Sequence, residues 1–332
     1  MYKRPDMSVE LCGLRWKNPV TTASGTFSAR DSGGYYDFSR LGAVTTKGVS
    51  AEAWRGNPVP RIAESWGGML NAVGLENPGV EAYIKEEIPY IKHYINERLM
   101  PGGERMCANT GGDGSEAGTC AAPETLIIAN IVGKHVDEYR AVAERLNETD
   151  ADMLEMNISC PNIKAGGLSF GTDARLAAEV TAAVRAATAK PLIVKLTPNV
   201  TDICEIAKAA EDAGADAVSL INTLLGMRID AKKRMPTLAN ITGGLSGPAI
   251  KPIALRMVYQ TARAVNIPII GMGGIMTGED AAEFFMAGAS AVAVGTAALI
   301  CPTAPTDILS ELEEFMQSNG FADIGALRTA LG

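Results

Sequence analysis

Eight short apolar runs, rich in β-branched residues and separated by helical stretches, constrain the fold of this chain more than any other feature. Apolar runs of this length are typical of strands that are buried on both faces of a parallel sheet. Eight alternating units in 332 residues favour an α/β protein with a closed (β/α)8 barrel, a single domain over residues 1–332, over an open doubly wound sheet. The runs are residues 19–23, 43–46, 126–129, 153–156, 192–194, 217–221, 268–271 and 291–294.

The stretches between several of these runs have the periodicity of amphipathic helices. Gly214 and Gly288 follow two of them, and glycine commonly ends a helix because it adopts a positive φ angle at little cost. We therefore predict helices over residues 136–146, 174–187, 203–213, 250–264 and 279–287.

Polar residues or glycines follow all eight runs, where a barrel of this kind forms its functional mouth. Each has an ordinary explanation, since Asn and Ser favour turns, Lys can extend to solvent and Gly ends strands. Three Asn and two Lys at one mouth would be costly unless they bind a ligand. In chain order the residues are Ser24 with Gly25, Lys47 with Gly48, Asn130, Asn157, Lys195, Asn222 with Thr223, Gly273 with Gly274, and Gly295 with Thr296.

The glycine-containing pairs after the seventh and eighth runs indicate the type of ligand. Barrels often bind phosphate at this position, through backbone N–H groups and an adjacent helix N-terminus. We therefore expect a phosphorylated ligand. Residues 271–275 (GMGGI) lack the full G-x-G-x-x-G spacing of a dinucleotide-binding loop, so we do not expect NAD to bind there.

Charge, hydropathy and cysteine spacing disfavour several other classes. A net charge of -8 argues against nucleic acid or an anionic membrane as a partner. The chain lacks both an apolar secretory core near its start and a run of roughly 18 or more apolar residues, so we expect a cytoplasmic protein. The cysteines at positions 12, 107, 120, 160, 204 and 301 form no C-x-x-C pair, so we expect reduced thiols and no metal site.

Six motifs resemble those of class 1 dihydroorotate dehydrogenases, and the resemblance covers the chain outside residues 100–123. The forms of residues 68–79 and 164–170 are similar to subclass 1B rather than to the homodimeric, fumarate-using subclass 1A. The motifs are residues 23–27 (ASGTF), 68–79 (GMLNAVGLENPG), 157–162 (NISCPN), 194–199 (VKLTPN), 221–228 (INTLLGMR) and 242–252 (TGGLSGPAIKP).

The resemblance implies an FMN enzyme that oxidises (S)-dihydroorotate to orotate in pyrimidine (UMP) biosynthesis. Position at the strand ends had already indicated most of the site residues that it implies. FMN would contact Ser24, Lys47, Gly48, Asn130, Asn157, Lys195, Ile221, Gly247, Gly273, Gly274, Gly295 and Thr296. Dihydroorotate would contact Lys47, Asn71, Ala72, Val73, Gly74, Leu75, Asn157, Asn222 and Thr223.

The resemblance also makes Cys160 the catalytic base. The reaction removes a proton beside a carbonyl and a hydride from the neighbouring carbon, so a base must face the ligand opposite an oxidised flavin. An isolated Cys is more often a small buried apolar residue. Here it lies just beyond a strand end, and the glycines at 166, 167 and 171 predict a mobile lid. An ordinary thiol pKa of about 8.5 predicts turnover that rises with pH.

The amide and lysine residues suit the same chemistry. Asn offers both a donor and an acceptor to a uracil-like ring without adding charge. We expect Lys47 to serve flavin and substrate, and Lys195 to stabilise the anionic reduced flavin. The alternative for Lys195 is a Schiff-base lysine, which would leave Cys160 and the glycine pairs unexplained.

Electron transfer to NAD requires a partner, because the chain has neither a Rossmann fingerprint nor a cluster-binding Cys pattern. The subclass 1B resemblance implies a second subunit with FAD and an iron–sulfur cluster, in a heterotetramer with two chains of each kind. Residues 100–123 depart from the family, and their Gly and Ser content predicts a flexible surface loop. Alternatively, Cys107 and Cys120 form a redox-sensitive pair, or the loop alters partner docking.

Two rival functions remain open from the sequence. A related flavin barrel could oxidise another dihydropyrimidine, such as dihydrouracil, although residues 71–75 argue for a substrate with a 6-carboxylate. The second rival, from a different functional class, is a flavin-free phosphate-binding barrel that is either a lyase or a ligand-binding subunit.

Overall fold

The computed structural model describes residues 4–97, 124–159 and 170–331. Within these ranges, eight parallel strands, numbered β1 to β8 in chain order with the bounds given below, form one sheet in the order β1-β8-β7-β6-β5-β4-β3-β2. The predicted (β/α)8 barrel is confirmed, and every predicted strand is present, with ends that differ by at most two residues. The strands are β1 Val20–Thr22, β2 Ala43–Thr45, β3 Leu126–Ile131, β4 Met153–Asn157, β5 Leu192–Lys195, β6 Ala217–Leu220, β7 Ile269–Gly271 and β8 Ala291–Val294.

The barrel closes between β1 and β2 through threonine side chains. Thr22 Oγ1 donates to Thr45 O at 3.1 Å and accepts from Thr45 N at 2.9 Å. The hydroxyl oxygens of Thr21 and Thr45 lie 3.2 Å apart. Because all three threonines are buried, these contacts satisfy backbone groups that would otherwise lack partners where the two strands meet.

Helices follow the barrel strands, and the five predicted ones are confirmed with ends that shift by up to three residues. Gly214 and Gly288 have φ angles of 97° and 112°, as expected of glycines that follow the end of a helix. The main helices are α1 Ala29–Ser32, α2 Ile88–Glu97, α3 Val136–Leu146, α4 Ala174–Ala187, α5 Ile203–Asp212, α6 Lys251–Thr261, α7 Gly278–Met286 and α8 Ala304–Asn319. Shorter helical segments are Phe38–Arg40, Val80–Ala82, Tyr83–Glu87, Phe170–Thr172, Pro248–Ile250, Thr296–Ile300 and Ile324–Arg328.

A hairpin near the N-terminus closes one end of the barrel. Its strands, Val9–Leu11 and Leu14–Trp16, pair antiparallel. The fully buried Trp16 packs among inward-facing residues from the beginnings of the barrel strands, including Ile193 and Ile270. The N-terminal ends of the strands are therefore covered, and a ligand must enter from the C-terminal ends.

A second, antiparallel sheet was not predicted. Its strands are too short and glycine-rich to show a clear alternation in the sequence. Within the described residues it contains the strands Leu224–Met227, Thr242–Ser246, Gly68–Asn71 and Ile62–Ser65, in that spatial order. A two-stranded pair, Ile229–Asp230 with Met235–Pro236, lies nearby in the chain.

The register of this accessory sheet orients Asn71. Leu225, Gly244, Asn71 and Ile62 pair across the four strands in one row, so they point to the same face. Leu70, in the neighbouring row, points to the opposite face, where it is buried in a small apolar cluster. Apolar packing on one face thus fixes the position of the polar side chain on the other.

The described residues include no helix that is both long and apolar enough to cross a membrane. Cys160, the glycines at 166 and 167, and the predicted loop at 100–123 with Cys107 and Cys120 lie outside the described residues. The predictions made for them stay predictions.

Candidate active site

A cavity of about 750 Å³ opens at the C-terminal ends of the barrel strands and extends to the accessory sheet. Its volume is typical of cofactor and small-molecule sites. Every predicted FMN or dihydroorotate contact lines it: Ser24, Lys47, Gly48, Asn71, Ala72, Val73, Gly74, Leu75, Asn130, Asn157, Lys195, Ile221, Asn222, Thr223, Gly247, Gly273, Gly274, Gly295 and Thr296. Cys160 is not among the described residues, but the preceding Ser159 lines the same cavity.

Asn157, at the end of β4, is held in one orientation by its neighbours. Its Oδ1 accepts from Ser159 Oγ at 2.7 Å and from Asn222 Nδ2 at 3.3 Å. Asn222 Nδ2 also donates to Ser159 Oγ at 2.7 Å. The hydroxyl of the buried Tyr139 donates to Asn157 O at 2.7 Å. The side chains of Asn157, Ser159 and Asn222 are therefore hydrogen-bonded to one another, and Ser159 is the residue before Cys160 in the sequence.

Asn199 connects the barrel to the accessory sheet, and it was not predicted as a site residue although it belongs to a family-like motif. Its Nδ2 donates to Thr223 O at 3.0 Å, and its Oδ1 accepts from Leu225 N at 2.8 Å. Asn199 itself lines the cavity. It thus fixes the loop after β6, which carries two predicted substrate contacts.

Glu155 is a buried carboxylate at the inner end of the site, and it was not predicted as a site residue. Only 2% of the residue is exposed. Lys195 Nζ lies 3.5 Å from Glu155 Oε1 and donates to Ser24 Oγ at 2.9 Å. Asn130 Nδ2 donates to Oε1 at 2.7 Å, and Ser219 Oγ donates to Oε2 at 2.8 Å. The sequence did contain a signal for it, since Glu155 lies among apolar residues in the predicted strand 153–156. A carboxylate buried in such a strand needs hydrogen-bonding or charged partners.

Three glycines form a narrow corner of the cavity. Gly247, Gly273 and Gly274 have φ angles of 105°, 127° and 82°, which disfavour any other residue. A Cβ built on Gly274 would lie 2.9 Å from Gly247 O and 2.8 Å from Lys251 Cβ. Because α6 begins at Lys251, this corner combines close backbone approach with a helix N-terminus, an arrangement that suits an anion.

Lys251 connects the corner to α7. Its Nζ donates to Asp280 Oδ1 at 2.5 Å and to Glu283 Oε1 at 3.0 Å. Asp280 in turn accepts from Met276 N at 2.8 Å through Oδ2. These bonds hold the loop after β7 between two helices.

Cys12 and Cys204 have raised thiol pKa values, so they are unsuited to act as a base. Burial and, to a lesser extent, the nearby Asp216 raise the pKa of Cys12 to about 12. Burial likewise raises the pKa of Cys204. Neither residue lines the cavity, and Cys12 belongs to the hairpin that closes the opposite end of the barrel.

The fold and the site together define a (β/α)8 barrel enzyme with a ligand-sized cavity at the C-terminal ends of its strands. A family model described as dihydroorotate dehydrogenase matches residues 6–316. The chain belongs to the dihydroorotate dehydrogenase family. The prediction of an oxidoreductase that oxidises dihydroorotate in pyrimidine synthesis is confirmed.

Similar proteins cover almost the full length of the chain. Three of them have the name dihydroorotate dehydrogenase B (NAD(+)), catalytic subunit. The one from Alkaliphilus metalliredigens is 53% identical over 327 residues, 98% of this chain and 99% of that protein. The one from Alkaliphilus oremlandii is 54% identical over 97% of each chain. The one from Geobacter sulfurreducens is 50% identical over 99% of each chain.

Proposed function

We propose that this chain is the FMN-binding catalytic subunit of an NAD-linked dihydroorotate dehydrogenase and oxidises (S)-dihydroorotate to orotate. One observation carries the proposal: the described residues predicted to contact FMN and substrate all line one cavity, with Lys195 buried at its inner end. The names of the three similar proteins support the subunit type.

The residues present fit FMN. Asn130 Oδ1 is a buried acceptor without a hydrogen-bond partner among the described residues, as expected where a ring N–H binds. A Cβ on Gly48 would lie 2.6 Å from that oxygen. The glycine corner, at the N-terminus of α6, suits a phosphate. The proposed FMN contacts are Ser24, Lys47, Gly48, Asn130, Asn157, Lys195, Ile221, Gly247, Gly273, Gly274, Gly295 and Thr296.

The chain's own residues orient the substrate and move a proton. Bound FMN supplies the hydride acceptor. Asn71, Asn157 and Asn222 present amide groups to the ring of dihydroorotate, and Lys47 meets its negative charge at the mouth. Cys160, the next residue in the sequence after the cavity-lining Ser159, takes the proton from the carbon beside the carbonyl. Lys195 holds a positive charge where negative charge develops.

The proposal includes a partner subunit with FAD and an iron–sulfur cluster, in a heterotetramer with two chains of each kind. The words "catalytic subunit" in the names of the similar proteins support a second subunit. Exposed apolar side chains of the accessory sheet also favour a protein partner. Leu225 and Ile62, which line the cavity, are 59% and 55% exposed, and Trp66, in the turn between two strands of that sheet, is 98% exposed. The free thiols of Cys12, Cys204 and Cys301 fit the proposed cytoplasmic location.

The spectrum of the purified chain tests the proposed function. After reconstitution we expect a yellow, FMN-like spectrum that dihydroorotate bleaches under anaerobic conditions and dihydrouracil does not. Failure to bind flavin would favour the flavin-free phosphate-binding barrel. Equal bleaching by dihydrouracil would favour a broader dihydropyrimidine-oxidising enzyme.

Replacing Gly274 by Ala is expected to weaken FMN binding about tenfold or more. The new Cβ would occupy space between Gly247 O and Lys251, in a backbone conformation that costs a non-glycine residue about 1–3 kcal/mol. Titration of apoprotein with FMN, followed by quenching of flavin fluorescence, measures the effect. Gly320→Ala is the matched control, because the φ of Gly320 is also positive, at 76°, but a Cβ added there, at the end of α8, would meet no atom within 4 Å outside the adjacent residues. A similar loss of FMN affinity in both variants would contradict the assignment.

The isolated chain is expected to pass electrons from dihydroorotate to an artificial dye but not to NAD. This follows if the route to NAD lies on the partner subunit. Parallel assays of dye, NAD and fumarate reduction with the pure chain measure it. Efficient NAD reduction by the pure chain would remove the need for a partner, and efficient fumarate reduction would favour the homodimeric, fumarate-using type.

A further inference from the structure

Asn130 presents a buried hydrogen-bond acceptor that has no partner among the described residues. The residue is 0% exposed, and its Oδ1 makes no hydrogen bond within the part of the chain that the structure describes. Both Asn130 and Gly48, whose missing side chain leaves room beside this oxygen, line the cavity. Because an unsatisfied buried acceptor costs free energy, this oxygen is expected to bind a ligand N–H.

Glu155 determines which way the Asn130 amide faces. A carboxylate only accepts hydrogen bonds, so Asn130 must direct its Nδ2 toward Glu155, and it does so at 2.7 Å. The amide oxygen then faces Gly48 and the cavity. Ser219 donates to the other carboxylate oxygen at 2.8 Å, so Glu155 itself is held in place.

The same carboxylate oxygen also holds Lys195. Lys195 Nζ lies 3.5 Å from Glu155 Oε1 and 2.9 Å from Ser24 Oγ. Lys195 and Glu155 are 3% and 2% exposed, so solvent screens this pair little. Glu155 therefore holds an ammonium donor and an amide acceptor side by side at the inner end of the cavity.

We propose that Glu155 is a positioning residue that presents this donor and acceptor as a matched pair to the pyrimidine end of the flavin ring. That end of an isoalloxazine has an N–H, at N3, between two carbonyl groups, so an acceptor beside a donor is complementary to it. The reverse amide orientation would set an NH₂ group against the ring N–H. The inference rests on the proposed function, and it assigns the N3–H to Asn130 Oδ1.

The variant Glu155→Gln tests the assignment. Glutamine keeps the shape but adds an NH₂ group, so Asn130 is no longer held in one orientation. We expect the apoprotein of E155Q to bind FMN about tenfold or more weakly than the wild type. Its affinity for N3-methyl-FMN, which lacks the N–H, should change less than about threefold, because Asn130 cannot accept from that ligand in either protein.

The reduction potential of bound FMN gives a second readout. In E155Q the positive charge of Lys195 is no longer offset by a carboxylate, so the potential should become more positive than in the wild type. Asp152→Asn is the matched control. It is the same acid-to-amide change just before β4, at the closed end of the barrel, where Asp152 Oδ2 accepts from Ile127 N. D152N should leave both flavin affinities within about threefold and the potential unchanged.

The outcomes separate this inference from the proposed function. Failure of the wild-type chain to bind FMN would overturn the proposed function. The role of Glu155 alone would be overturned if the wild type binds FMN but E155Q matches it in two respects. These are the ratio of the affinities for FMN and N3-methyl-FMN, and the reduction potential of bound FMN. If E155Q does not fold, Asn130→Ala is used instead, and it should show the same selective loss for FMN over N3-methyl-FMN. An unchanged ratio in N130A would equally overturn the assignment.

Discussion

Replacing Cys160 by Ser is expected to leave FMN bound and to slow reduction of the flavin by dihydroorotate at least about 100-fold. A general base contributes roughly 10²- to 10⁴-fold, and a serine hydroxyl does not ionise near neutral pH as a thiol does. The prediction rests on the motif NISCPN and on the cavity-lining position of Asn157 and Ser159 just before Cys160. Anaerobic stopped-flow measurement of flavin absorbance gives the rate constant.

The pH dependence distinguishes loss of a base from a general disturbance of the site. The wild-type rate should rise with pH as the thiol loses its proton and level off above the ordinary cysteine pKa of about 8.5. The rise should be absent in C160S. Cys204→Ser is the control for the chemical change, since Cys204 lies in α5 away from the cavity. An unchanged rate constant in C160S would remove Cys160 from the mechanism.

The barrel was predictable because its strands are buried on both faces. The run that forms β8, for example, is continuously apolar, so it was evident without knowledge of its neighbours. The accessory sheet was not predictable in the same way. Its strand Thr242–Ser246 begins with Thr-Gly-Gly, and its pairing partner Gly68–Asn71 lies more than 150 residues earlier in the chain. Register between such distant segments depends on tertiary packing, which periodicity does not reveal.

The site was predictable to the extent that function follows strand position. Asn130, Asn157 and Lys195 were expected at the mouth on position alone, and each lines the cavity. Asn71 was predicted as a substrate contact only from the family resemblance, because its orientation depends on the accessory sheet, which was not predicted. Glu155 was missed because its neighbours in β4 are apolar and the strand was interpreted as core.

The environment of Lys195 bears on the alternative role considered for it. A Schiff-base lysine must react as a neutral amine. Here the ammonium group lies beside the buried Glu155 carboxylate and donates to Ser24, an arrangement that stabilises its positive charge. The contacts therefore favour the electrostatic role, in which the charge is kept throughout the reaction.

Replacing Lys195 by Met is expected to slow flavin reduction at least about 100-fold and to lower the reduction potential of bound FMN. The methionine side chain keeps much of the volume but removes the positive charge that stabilises the reduced flavin, and losses of 10²- to 10³-fold are typical when such a group is deleted. The variant also leaves Glu155 buried without its cationic partner, which typically costs about 3–5 kcal/mol of stability. Urea denaturation and the potential of bound FMN measure the two effects separately.

The double variant with Glu155→Gln distinguishes the redox role of Lys195 from its contribution to stability. Removing both charges eliminates the uncompensated carboxylate, so the free energy of unfolding should recover most of what Lys195→Met alone loses. The positive charge near the flavin is still missing, so the double variant should keep a lower potential than E155Q alone. Because loss of the carboxylate by itself raises the potential, the double variant is compared with E155Q. Equal potentials and rates in the double variant and in E155Q would mean that Lys195 acts only by compensating the buried carboxylate. Recovered stability, together with a potential and rate below those of E155Q, is the result expected if the ammonium group itself stabilises the reduced flavin.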